Sequence, residues 1–151
     1  MPAHSETQTS PYTPQQIFDL VADVEKYPEF LPWCRAARVF DRKEGEFMGE
    51  LIISFAHMTE RYTSRVRFSA PQAIDVEMVK GPFTHLVNRW RFTAEEGGTR
   101  IDFFLDFEFR SKILEKLIGG MFAKATAKMM GAFKARADAL YGTIDPARRN
   151  H

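Results

Sequence analysis

The side chains able to do chemistry in this chain are few and scattered. Its four histidines, His4, His57, His85 and His151, stand apart from one another and from any second ligand at a metal-binding spacing. Its one cysteine, Cys34, carries no local signature of a base that would take the thiol proton. The sequence has no glycine loop of the phosphate-cradling kind. What remains is milder. Tyr62, Ser64 and Asn88 fall, by two-residue alternation, on strand faces otherwise made of apolar side chains. A hydroxyl or amide so placed can hydrogen-bond the carbonyl of a neutral ligand. The same side chains serve equally as core residues whose polar atoms are satisfied internally. No nucleophile, acid or base faces a pocket, so the expectation is a binding protein: not an enzyme, with no metal and no catalytic cofactor.

The segment Tyr27-Pro28-Glu29-Phe30-Leu31-Pro32-Trp33-Cys34 sets rings and a leucine between two prolines. Proline restricts its own φ and the residue before it, so the segment is stiff. Stiff and apolar, it either plugs a core or lines the mouth of a cavity. The chain also holds 14 Phe and 7 Met against two Trp and four Tyr. Phe fills volume without needing a hydrogen bond, and Met adapts to irregular space. An ordinary Phe-rich core and an adaptable cavity both fit that excess.

The elements that position these residues follow from periodicity. Residues 3–10 alternate weakly and can form a first strand. Thr13 before Pro14 is a helix N-cap followed by proline at the first helical position. Ile17, Phe18, Leu20, Val21 and Val24 then predict a helix over about 14–23, with a short second helix in 25–31. From 35 to 110 the period becomes two, giving about six strands with one apolar and one polar face. Gly97-Gly98 is expected to be a tight hairpin loop. That register would set Arg89 opposite Asp106 and Arg91 opposite Phe104. After Arg110 the helical period returns over 111–141, with an apolar stripe opposed by Lys112, Lys116, Lys124, Lys128, Lys134 and Arg136. Gly119-Gly120 should kink or break that helix. The fold class is therefore α+β: a curved antiparallel sheet of six to seven strands wrapped around a long C-terminal helix. Residues 1–142 form one domain, and 143–151 a disordered tail.

Composition narrows the function. Lys and Arg (21) nearly balance Asp and Glu (20), which argues against DNA as a partner. A single cysteine fits a reducing compartment, and no apolar run is long enough to span a bilayer. A soluble cytoplasmic protein is expected.

The Tyr27–Cys34 run resembles the START-like, coenzyme Q-binding proteins of the polyketide cyclase/dehydrase superfamily. Gly81-Pro82-Phe83, Asn88-Arg89-Trp90-Arg91-Phe92 and Phe107-Glu108-Phe109-Arg110-Ser111 match in the same order, over about residues 10–141. The resemblance implies a helix-grip fold with an apolar tunnel between sheet and long helix. It implies ubiquinone or a similar polyprenyl lipid as ligand, in support of respiratory electron transport, by a carrier or chaperone at most peripheral to the inner membrane. Similar relatives are described as toxins that associate with the large ribosomal subunit, which keeps the ribosome as an alternative partner, through Phe83 and the lysine-rich helix face. On the first view the candidate ligand-contacting residues are Phe30, Leu31, Trp33, Phe55, Tyr62, Val66, Phe68, Met78, Trp90, Phe103, Leu105, Phe107, Leu117, Met121, Phe122, Met129 and Met130.

Overall fold

Alternating strands and one long amphipathic helix can bury both apolar surfaces at once only by packing the helix across the sheet. That is the arrangement in the computed structural model, which describes residues 3–55 and 58–142, with the side chains of Phe55, Met58 and Ile118 outside the description. His57 and the tail 143–151 also lie outside the described residues. The strands are β1 (Ala3–Ser10), β2 (Cys34–Lys43), β3 (Glu46–Phe55), β4 (Met58–Ser69), β5 (Ala73–Lys80), β6 (Phe83–Glu95) and β7 (Gly98–Phe109). They form one antiparallel sheet in the order β1-β7-β6-β5-β4-β3-β2. The first two strands thus sit at opposite edges. Helix α1 (Pro14–Ala22) and a 3-10 helix (Val24–Glu29) carry the chain between them.

The start of α1 is fixed locally. The Thr13 hydroxyl accepts from the Gln16 backbone N–H at 3.1 Å, and the Gln16 side chain accepts from the Thr13 N–H at 3.0 Å. This reciprocal cap satisfies two of the helix's unpaired donors. The second predicted helix is the 3-10 segment. It is short because Pro28 inside it removes a donor.

The inward faces are those the alternation predicts. Leu51 and Ile53, then Tyr62, Ser64 and Val66, then Ile74, Leu86, Trp90 and Phe92, and every second residue from Ile101 to Phe109 are buried. The outward faces pair charges across strands. Glu50 takes Arg38 at 2.7 Å and Arg61 at 3.0 Å, and Glu46 takes Arg67 at 3.2 Å.

The β6–β7 register departs from expectation by two residues. Glu95 pairs with Gly98, so the loop is Glu96-Gly97, Arg89 faces Phe104 and Arg91 faces Asp102. Arg89 lies over the Phe104 ring at 5.6 Å, while Arg91 bonds Asp75 on β5 at 2.8 Å. Gly97 supplies the positive φ of the turn (84°). Gly98 is needed for another reason: a Cβ there would sit 1.9 Å from the Ser10 carbonyl oxygen. The second glycine makes room for β1, and a two-residue shift leaves every side chain on its expected face.

Helix α2 (Lys112–Tyr141) runs unbroken through Gly119-Gly120, so of the kink or break expected there the break does not occur. Tertiary anchors on both sides override the propensity cost. Leu114 is buried on one side, and Phe122 meets Phe83, Phe107 and Phe109 at centroid distances of 5.3, 4.7 and 5.6 Å on the other. The Ser111 hydroxyl caps the start by accepting from Leu114 N–H at 3.0 Å. Among the described residues, no helix is long and apolar enough to cross a membrane.

Candidate functional site

Between the middle of α2 and the concave face of the sheet lies a partly open cavity of about 130 Å³. Its floor comes from β3 to β7, through Gly49, Leu51, Ile53, Tyr62, Ser64, Val66, Val76, Phe83, Leu86, Asn88, Trp90 and Leu105. Its roof is the α2 face Phe122, Ala125, Thr126, Met129 and Phe133, and its end wall is Val24, Tyr27 and Trp33. Bulk elsewhere on α2 holds the roof off the floor. Phe133 closes the far end of the cavity, edge-on to Trp90 at 5.2 Å, and Met130 and Ala137 are buried beyond it. The helix therefore touches the sheet beyond the void at one end, and at the Phe83–Phe107–Phe109–Phe122 cluster at the other.

No Asp, Glu, Lys, Arg or His lies on this wall among the described residues. Its polar atoms are neutral. The Asn88 amide is engaged at both ends, donating to the Phe104 carbonyl at 3.0 Å and accepting from the Trp90 indole at 2.9 Å. Asn88 thus fixes the Trp90 ring rather than a ligand. Tyr27 donates its hydroxyl to the Val21 carbonyl, which ties the end wall to α1. The Tyr62 hydroxyl, with Ser64 on the same inward strand face, and the Thr126 hydroxyl remain as adaptable groups. Burial pushes the Tyr62 phenol well up, so it stays a protonated donor. Burial likewise pushes the Cys34 thiol up to about 11, which keeps it out of its nucleophilic form near neutral pH.

Of the candidate residues, Trp33, Tyr62, Val66, Trp90, Leu105, Phe122 and Met129 stand on the cavity wall. The other candidates stand off that wall. Leu117 and Met121 turn outward and are 60% and 41% exposed. Met130 closes a separate small crevice with Ile17 and Leu20. Leu31, Phe103 and Phe107 are buried core off the wall. Phe30 packs over Phe133 at 5.2 Å on the outer side of the end wall, and Phe68 packs on Phe18 and Phe47. Met78 is half-buried beside Gly81. The side chain of Phe55 is outside the description. Phe83, offered as a partner contact, is 4% exposed and belongs to the core instead. The wall also includes Val24, Tyr27, Gly49, Ala125, Thr126 and Phe133, which were not among the candidates. Parity did mark Gly49 as inward, but small residues leave space rather than fill it, and an apolar count passes over them.

An antiparallel sheet gripping a C-terminal helix around an apolar, neutral cavity defines a class of small-molecule-binding domain. Residues 10–134 match the family described as "Polyketide cyclase / dehydrase and lipid transport", and the chain belongs to that START-like, lipid-binding family. It is 41% identical to the ribosome association toxin RatA of Rickettsia prowazekii over 91% of this chain and 97% of that one. It is 31% identical to the mitochondrial coenzyme Q-binding protein COQ10 homolog B of Xenopus laevis, over 92% of this chain and 59% of that protein. The solution structure of an 18 kDa protein from Caulobacter crescentus superposes with a TM-score of 0.75 at 37% identity, covering 94% of this chain and 99% of that one.

Proposed function

We propose that this chain binds the head group of ubiquinone, or of a similar isoprenoid-tailed lipid, and acts as a carrier or chaperone rather than an enzyme. The observation that carries this proposal is the cavity itself: an aromatic and aliphatic wall whose free polarity is two hydroxyl sites, at Tyr62–Ser64 and Thr126. A quinone ring offers carbonyl oxygens to such donors and apolar faces to the rest. At about 130 Å³ the void approaches the ~150 Å³ that accepts one benzene ring, and falls below the ~300–1,000 Å³ typical of drug-sized sites. It is sized for a ring, and a long tail must leave through the open side. Burying each CH₂ from water gains ~0.8 kcal/mol, but a bilayer offers the same gain. Transfer between membrane and protein is then close to neutral, which suits exchange better than storage.

The test is to purify the protein from its host and analyse the organic extract by mass spectrometry. A quinone or related isoprenoid near one equivalent is expected. Empty protein that also ignores added short-tail quinone would sink the proposal.

A second reading is association with the ribosome. It is favoured by the likeness to the ribosome association toxin over nearly the whole chain and by the exposed lysines of α2. Co-sedimentation with ribosomal subunits, falling steeply with salt as lysine–phosphate contacts do, would support it.

A further inference from the structure

Four rows of side chains, each built from residues four apart, run around the first two-thirds of α2. Leu114, Phe122, Thr126 and Met130 belong to the row that meets the sheet. Next to it lies Ile113, Leu117, Met121, Ala125 and Met129. Next again lies Lys112, Lys116, Gly120, Lys124 and Lys128. The middle row begins at the surface and ends in the site. Ile113 is 72% exposed, Leu117 60% and Met121 41%, after which Ala125 and Met129 are half-buried on the cavity wall. The cause is geometric: a step of four residues turns about 40° beyond a full circle, so the row winds from solvent toward the sheet.

The lysines beside it are exposed, and among the described residues none of these four takes part in an ion pair. The one acidic residue between 112 and 128, Glu115, lies about 160° around the helix from Leu117.

We propose that this face, apolar row with lysine row, docks on an anionic lipid bilayer and sets the cavity's open side against the membrane. The proposal rests on the lipid-carrier reading above and names its partner. Three features select a bilayer. Apolar side chains bordered by unpaired lysines match a membrane interface, where acyl-chain methylenes lie just beneath anionic head groups. Nucleic acid would use the lysines and leave three exposed apolar side chains facing a polyanion. A second copy of the chain would bring two lysine rows together. The apolar row also joins the cavity, so a tail leaving the void between Met129 and Ala125 would meet lipid at Met121 and Leu117.

The experiment is co-sedimentation of the full chain with phosphatidylcholine vesicles, with and without phosphatidylglycerol, for wild type and two double variants. Leu117→Gln with Met121→Gln should weaken binding on the order of tenfold on both vesicle types. Lys124→Gln with Lys128→Gln should remove the phosphatidylglycerol-dependent part, also on the order of tenfold, and with it most of the salt sensitivity. All four side chains are exposed, so both variants should melt like wild type. Vesicle binding that is absent, or unchanged in both variants, overturns the proposal. So does ribosome binding that needs the lysines with no vesicle binding, or a dimer abolished by the Leu117 and Met121 changes. Loading with a short-tail quinone in buffer, read by tryptophan fluorescence, separates the two levels. Loading without vesicle binding sinks the docking face alone, and vesicle binding without loading sinks the quinone reading alone.

Discussion

At the scale of single residues, the cavity depends on where hydroxyls and glycines stand. Tyr62 is the best-placed donor, and Tyr62→Phe removes that donor with little change in shape. One neutral hydrogen bond contributes about 0.5–1.5 kcal/mol. Quinone affinity measured by fluorescence titration should therefore fall roughly two- to tenfold. The same phenol marks alkaline stability. Burial raises the folded-state pKa of Tyr62 and Tyr27 above the ordinary value of 10.0. Their contribution is complete below that value and is lost as pH rises beyond it, because the unfolded chain then sheds protons that the folded one keeps. Chemical denaturation should show stability declining above about pH 10, and less steeply in Tyr62→Phe. Gly98 makes a different demand. With φ at 154° and the Ser10 carbonyl where a Cβ would stand, Gly98→Ala should pry β1 from β7. A loss of more than ~2 kcal/mol is expected, visible as rapid amide exchange in β1.

At the scale of elements, α2 is where propensity and packing disagree. Gly120 lies within a continuous helix, and a Cβ there would meet nothing within 4 Å. Gly120→Ala should stabilise the fold by about 0.5–1 kcal/mol, through the unfolded chain's lost freedom and the helix's better propensity. A melting temperature that falls instead would mean that the backbone at Gly120 is not the regular helix alanine favours. Sequence predicted the extent of α2 closely but not its continuity. A pair of glycines weakens a helix locally, whereas Leu114 and Phe122 are held by residues far away in the chain. The β6–β7 hairpin teaches the same lesson. Two glycines in a row suggested a two-glycine loop, yet one serves the turn and the other serves the neighbouring strand.

At the scale of the whole molecule, the end wall is clasped to α2. Arg136 donates to Glu29 at 2.7 Å and lies 5.1 Å from the Phe30 ring centre, while Phe30 and Tyr27 both pack on Phe133. The Arg136 side chain is only 19% exposed and its Nε is buried without a partner, so the Glu29 carboxylate offsets much of the cost of that charge. The arginine holds the Glu29 carboxyl below the usual carboxylate range. A depressed carboxyl contributes stability that is present above its unfolded pKa and lost as pH falls through the folded one. Glu29→Gln should thus lower the melting temperature at neutral pH, and the gap from wild type should close as the pH drops below about 4. A gap that stays constant with pH would remove the ion pair from the explanation.

Alternation and spacing alone yielded the facing of the residues of β3 to β7, the cap of α1, the span of α2 and the uncharged character of the inward strand faces. Both signals are local. The existence of a void of about 130 Å³, the exit of Leu117 and Met121 from the interior, and the place of Ala125 and Thr126 on its wall emerge from long-range packing. Periodicity gives the direction of a side chain but not the distance to what it faces. That distance is set by bulky contacts at the two ends of α2, between residues that the sequence keeps far apart.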